Sequence, residues 1–377
     1  MKKRRNINEI RYMNKIRYII TSLVFCIIVG GFSAWLLIKS PDESSDWERR
    51  PLAQFPEASY ETLTDRKFMD GFESYVNDQF PLRNTFRRIK AMIHFNVYNQ
   101  MDNNGIYVVD GHASEYKSEI TDSKIDTFND RINSIYSDFL KNTGCKVYYS
   151  IIPDKNYFLA EENGYPSFDY EYLYSRLGEG MDPAIKEIVI RDKLTIDDYY
   201  TTDTHWRQEQ IVDIANYIRG EMGMEAVNGY TQQSAGDFYG VYYGQSALNL
   251  DPDEIIYLEN EQIKASSVYN LEVNETVPVY NLSKLDGKDH YDIYLSGATA
   301  FLTITNPMGE EGKKLVVFRD SFGSSLTPLL MSGYSEITVV DTRYMYPRAL
   351  SMIDFTDQDV LFVYSTLVVE QSAALRK

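Results

Sequence analysis

Leu315-Val316-Val317-Phe318-Arg319-Asp320-Ser321-Phe322-Gly323-Ser324-Ser325 opens with a short unbroken apolar run and then turns hydroxyl-rich. The run has the length and pattern of a strand buried on both faces, as in parallel sheets, and the turn leads into a helix. Working outward, Lys146 to Ile152, Glu336 to Val340 and Val360 to Tyr364 repeat the apolar strand pattern, and Ile106 to Val109 is a shorter example. Between them Ile125, Phe128, Ile132, Ile135, Tyr136 and Phe139 recur at helical spacing, as do Ile211, Ile214, Ala215 and Ile218. Gly144 marks the end of the first of these helices. Strands separated by helices predict an α/β fold with a mostly parallel sheet and helices on both faces, over residues 101–377. Residues 225–300 break the rhythm with short alternating runs and turn residues, and read as a β-rich insertion.

Upstream the chain has a different character. Tyr18 to Ile38 carries no charge, and at about 1.5 Å per residue it matches a hydrocarbon core of about 30 Å. Lys2, Lys3, Arg4, Arg5, Arg11, Lys15 and Arg17 stand before it against a single acid, Glu9. The positive-inside rule then keeps residues 1–17 cytoplasmic and puts everything after residue 38 outside. A cleaved signal peptide is the rival reading, since Gly31 and Ser33 suit a peptidase. The apolar run continues through Ala34, Trp35, Leu36, Leu37 and Ile38 with no polar cleavage region, which favours an uncleaved anchor. Residues 39–57, rich in Pro, Ser and charge, read as an extended stalk. Two amphipathic helices follow within 39–100, with Phe68, Phe72 and Tyr75 on one face of the first and Phe86, Ile89, Ile93 and Val97 on one face of the second. Phe80-Pro81 separates them. Both faces are expected to pack against the main domain.

The chain of 377 residues has a net charge of -17 despite its basic tail, which argues against nucleic acid as a partner. Cys26 lies in the apolar run and Cys145 beyond it, so no disulfide closes within the exported part. The 31 tyrosines suit sugar-gripping surfaces and cores alike.

Four histidines occur, His94, His112, His205 and His290, none paired at metal-ligand spacing on one helix. Nothing in the residues points to a metal or an organic cofactor. His205 sits in Tyr199-Tyr200-Thr201-Thr202-Asp203-Thr204-His205-Trp206, where Asp203 can reach the imidazole if the segment is extended. Alone, this reads sooner as a capping turn before the next helix, and Ser321 alone sooner as a helix N-cap. A serine at the carboxyl end of a parallel strand also stands where ligands collect, beside helix-start N–H groups.

Taken together, Asp203-Thr204-His205-Trp206 and the later Asp320-Ser321-Phe322 resemble the DHHW family and the related alginate O-acetylation proteins of the SGNH-hydrolase type. Arg50 to Pro56, Phe72 to Arg83, Pro153-Asp154-Lys155 and Phe238 to Tyr243 resemble other segments of that family. The resemblance implies an SGNH-like three-layer sandwich and a triad of Ser321, His205 and Asp203. Thr204 stands where the family name has a second histidine, and Arg319 where SGNH hydrolases carry glycine. Arg319 is therefore a candidate for narrowing the site, binding an anionic group, or marking a site that has lost catalysis.

On that resemblance Ser321 attacks an ester carbonyl, His205 takes its proton and Asp203 holds the other ring nitrogen. Lys155 or Asn156 is the candidate side-chain oxyanion donor, and Trp206, Tyr242, Tyr243, Tyr344 and Tyr346 are candidates for a carbohydrate platform, though aromatics of this kind serve more often in packing. The expected activity is O-acyl transfer, with acetyl as the group, or ester hydrolysis on a cell-envelope or exported polysaccharide. A multi-pass membrane acyltransferase is the implied acyl donor partner. The alternative is an anchored, non-catalytic carbohydrate-binding or assembly protein that keeps the fold. A glycosidase with paired carboxylates is disfavoured, because an acidic chain nominates too many pairs.

Overall fold

The computed structural model describes residues 2–45 and 47–376, with only the backbone course for residues 2–10, so the side chains of Lys2, Lys3, Arg4, Arg5 and Glu9 lie outside it. The chain forms two compact units, one up to Ile93 and one from His94.

In the first unit, helix α1 (Lys2–Ile38) contains the one described helix long and apolar enough to cross a membrane, Arg11–Ile38, with a mean hydropathy of 2.2. Helices α2 (Lys67–Gln79) and α3 (Arg83–Asn96) follow. Phe80 and Pro81 part them as predicted, since proline holds its predecessor extended. Residues 39–57 are not an extended stalk. Gln79 accepts a bond from Asp42 N and donates one to Asp42 O, and Arg50 grips the Asp78 carboxylate with both terminal nitrogens. Pro, Ser and charge content predicts an extended segment, but Asp42 and Arg50 find partners on α2. Within this unit the Phe86, Ile89 and Ile93 row is exposed.

The second unit is built on an eight-stranded sheet. Its strands in chain order are β1 (Lys146–Ile152), β2 (Ile185–Glu187), β3 (Ser267–Asn270), β4 (Glu275–Val277), β5 (Phe301–Thr305), β6 (Glu310–Arg319), β7 (Tyr334–Val340) and β8 (Asp359–Ser365). Across the sheet they run β4-β3-β5-β7-β6-β8-β1-β2. From β7 to β2 all pairings are parallel, while β5, β3 and β4 add an antiparallel edge. The fold is thus mixed α/β with a mostly parallel sheet.

Alternation along β6 divides the core in two. Leu315 and Val317 face one cluster with Ile214 and Ile218 of α6 (Val212–Glu221) and Leu326 and Leu329 of α7 (Phe322–Leu330). Val316 and Phe318 face the other, with Phe128 and Ile132 of α4 (Asp122–Ile135) and Leu173 and Leu177 of α5 (Tyr170–Gly180). Successive strand side chains point to opposite faces, so an uninterrupted apolar run serves both layers.

The segment 225–300 is only partly an insertion. A hairpin of residues 231–238 and 253–259 joins the first cluster through Phe238, Ile255 and Leu258, but β3 and β4 belong to the main sheet.

Candidate active site

Parallel pairing brings the carboxyl ends of β6, β8 and β1 to one edge. Val363 is in register with Arg319, and Ser365 with Ile152. Asp320 ties two of these ends together. Its Oδ1 accepts from Phe322 N at 3.0 Å, and its Oδ2 accepts from the Ser365 backbone at 2.9 Å and from its hydroxyl at 2.6 Å. Ser321 follows in a helical conformation, φ -62° and ψ -27°, at the start of α7. It is half-buried, on the edge of an otherwise buried helix.

The other residues come from a tight loop closed by a Tyr199–Trp206 bridge and by Tyr200 N donating to His205 O at 3.0 Å. The loop sets Asp203 Oδ1 2.6 Å from His205 Nδ1, and His205 Nε2 2.8 Å from Ser321 Oγ. A buried carboxylate only accepts, so Nδ1 carries the proton and Nε2 is left to accept from the Ser321 hydroxyl. The structure therefore joins the three residues named from the sequence, across 116 positions of chain.

Several supports were not legible in the sequence. The Asp253 carboxylate accepts the N–H and hydroxyl of both Thr201 and Thr202 at 2.6 to 2.8 Å, which sets the turn before Asp203. Val241 N donates to the second oxygen of Asp203 at 2.8 Å. Gly240, just before, lies so close that a β-carbon there would stand 2.3 Å from Thr202 O and 2.4 Å from Asp203 Cβ. This explains why the glycine-and-tyrosine segment carries its glycine. Tyr291 lies face to face with His205 at a centroid distance of 3.9 Å, and its hydroxyl meets Ser325 Oγ at 2.7 Å.

The remaining sequence candidates have other work. Lys155 is fully buried, and its ammonium donates to the carbonyls of Tyr200, Thr201 and Asp203 at 2.7 to 3.2 Å. It clamps the loop from beneath, so it is not a side-chain oxyanion donor. Burial pulls its pKa down to about 7, against the pull of Asp253 and Asp203. Asn156 accepts from Tyr107 and Ser114 and donates to Glu115 O, which likewise removes it from the oxyanion role. Arg319 is wholly buried beside Asp341 at 3.7 Å and donates to Gly297 O at 2.9 Å, so it neither narrows the site nor meets a solvent anion. Trp206 is fully buried, its indole donating to Phe322 O and Ser325 Oγ. Tyr242 and Tyr243 are buried as well, so these three form no sugar platform. Amphipathic side chains pack their bodies inward and spend their polar tips locally. Tyr344 and Tyr346 are half exposed, beyond the carboxyl end of β7.

No curated protein sequence matches the chain. Among solved structures, a DHHW family protein from Eubacterium siraeum superposes with a TM-score of 0.59 at 19% identity, over 73% of this chain and 95% of that one. PatB1 of Bacillus cereus, solved with a sulfonyl adduct, gives 0.59 at 16% identity, over 72% and 98%. The O-acetyltransferase domain of Pseudomonas putida AlgJ gives 0.40 at 11% identity over 71% and 92%, too loose a likeness to define a shared fold. The profile of the DHHW protein family matches residues 104–340, a span that holds the loop, the glycine-and-tyrosine segment and Ser321. The chain belongs to the DHHW family.

Proposed function

We propose that this protein is a membrane-anchored, extracytoplasmic serine acyltransferase or esterase of the SGNH type, moving an acetyl group onto or off a cell-envelope or exported polysaccharide. The observation that carries the reading is the continuous contact from Asp203 through His205 to Ser321, 2.6 Å and 2.8 Å.

Ser321 Oγ attacks the ester carbonyl carbon as its proton passes to His205 Nε2, and Asp203 stabilises the imidazolium through Nδ1–H. The negative oxygen that forms sits against the N–H of Ser321 at the start of α7, where peptide dipoles favour it. Collapse breaks the ester bond, and the leaving oxygen takes the proton from Nε2. The acyl-serine is then attacked by a sugar hydroxyl or by water, whose proton returns through Nε2 to Ser321 Oγ. Exclusion of water from the acyl-serine selects transfer over hydrolysis.

Residues 18–38, within the apolar helix Arg11–Ile38, are the anchor, with the basic residues before them on the cytoplasmic side. A polysaccharide hydroxyl is the acceptor. Acyl-CoA is cytosolic, so the acyl group reaches Ser321 through a multi-pass membrane acyltransferase. The test is acetate release from p-nitrophenyl acetate, and transfer to an oligosaccharide mixture, by the wild type, Ser321→Ala and His205→Ala. Loss of both activities in both variants is expected. Equal rates in all three folded proteins would replace the reading with an anchored binding protein.

A further inference from the structure

Helix α3 is turned inside out. Phe86, Ile89 and Ile93 recur at helical spacing on one face, with Leu82 just ahead of them. This apolar face is the exposed one, at 44%, 46%, 39% and 52% respectively. The opposite face holds the fully buried Ala91 and turns Arg83, Arg87 and Arg88 inward, while Lys90 at its flank stays exposed. Arg83 pairs with Glu48 and Asp78, Arg87 pairs with Glu48, and the Arg88 guanidinium lies 4.3 Å over the Trp47 ring. A helix on a water-soluble body does the reverse, burying its apolar stripe and exposing its charges.

The stripe is continuous with the apolar helix α1. Phe32 of α1 stacks on Phe80 at 5.2 Å and meets Phe86 edge-on at 5.8 Å. Phe32 and Leu36, on one face of the last turns of α1, and Lys39 just beyond it are partly covered while their neighbours are exposed. Phe32 stands six residues before Ile38, or about 9 Å inside the end of the helix at about 1.5 Å per residue. A spanning α1 therefore carries its partners Phe80 and Phe86 to the depth of the acyl chains.

We propose that the α2–α3 elbow, Phe80 to Ile93, is seated in the outer leaflet with Leu82, Phe86, Ile89 and Ile93 against lipid. Attachment then consists of a span and an in-plane helix. This rests on α1 being the membrane anchor. The occupant of the exposed stripe is lipid, because the stripe adjoins α1, which is apolar and, apart from Phe32 and Leu36, exposed around its last turns, and Arg83, Arg87 and Arg88 are gathered on the other side.

The test uses the full chain, with Cys26→Ser and Cys145→Ala, reconstituted alone in vesicles of phosphatidylcholine and phosphatidylglycerol. An environment-sensitive fluorophore is attached at single cysteines replacing Leu23, Ile89, Ile93 or Asp251, and doxyl-labelled lipid is the quencher. The proposal expects blue-shifted, lipid-quenched emission at positions 23, 89 and 93, and aqueous, unquenched emission at 251. Quenching at 23 with aqueous emission at 89 and 93 overturns the elbow proposal and leaves the anchor standing. If 89 and 93 are shielded only when a membrane protein partner is co-reconstituted, lipid is the wrong occupant. Aqueous emission at 23 overturns the anchor reading and the elbow with it.

Discussion

The phenol ring of Tyr291 lies flat on the imidazole of His205, centroids 3.9 Å apart and 6° from parallel. Phe322 tilts against the same imidazole at 4.9 Å, so the ring is held by aromatic contacts as well as by its two hydrogen bonds. The segment that breaks the βα rhythm thus reaches the site.

Tyr291 is a positioning residue. Tyr291→Ala frees the imidazole to rotate away from Ser321 Oγ, and a misplacement of this kind costs about 100-fold. The loss should fall on kcat with KM little changed. Tyr291→Phe keeps the stack, loses only the Ser325 contact, and should stay within a few-fold of wild type. Steady-state rates with p-nitrophenyl acetate read both. Equal loss in the two variants would assign the effect to the hydroxyl.

Gly240→Ala places a methyl group into Thr202 O and Asp203 Cβ. Overpacking of this kind costs about 1–3 kcal/mol, and here the strain falls on the backbone that aims Asp203. Urea unfolding should show that loss alongside a fall in kcat. Unchanged stability and rate would mean that the loop yields freely.

Lys155 gives the pH dependence of the scaffold. Its ammonium is held at about 7 by burial, against an ordinary value of 10.5. Between those values the unfolded chain binds the proton and the folded chain does not, so this group's contribution to stability rises with pH across the window and is lowest below 7. Lys155→Met removes that slope and leaves three carbonyls unpartnered. Denaturation from about pH 7 to about pH 10 should find the wild type ahead by a margin that widens as pH rises. A constant margin would show that Lys155 keeps its proton throughout.

Arg319→Met removes one partner of a buried ion pair and leaves Asp341 to Arg343 alone. Loss of about 1–3 kcal/mol is expected from leaving the buried Gly297 carbonyl without its donor, with KM for any acceptor close to wild type. A raised KM for anionic acceptors at unchanged stability would restore Arg319 to the binding surface.

Four of the five parallel strands were legible because strands buried on both faces must be apolar throughout, and Leu315 to Phe318 and Val360 to Tyr364 are; β2 was not, because Ile185 to Glu187 is short and carries two charges. The antiparallel edge was not, because Phe301 to Thr305 alternates in polarity and Glu275 to Val277 is too short to signal anything. Asp203, His205 and Ser321 stood out through residue types that few other roles demand together. Asp253 and Tyr291 did not, since one acid in an acidic chain and one tyrosine among 31 carry no local mark. Residue type and position after a strand made Lys155 an oxyanion candidate, and ring chemistry made Trp206, Tyr242 and Tyr243 platform candidates, but neither signal tells a buried side chain from an exposed one. Their burial depends on contacts with residues tens to more than a hundred positions away.

The most direct test of the account is the covalent state of Ser321 itself. The full-length protein is mixed with p-nitrophenyl acetate, quenched in acid within the first turnovers and mapped by peptide mass spectrometry, beside His205→Ala. The account predicts one acetyl group on the peptide containing Ser321 in the wild type and none in the variant. An unmodified Ser321 in folded protein that still releases nitrophenol, or acetylation that persists without His205, would contradict it.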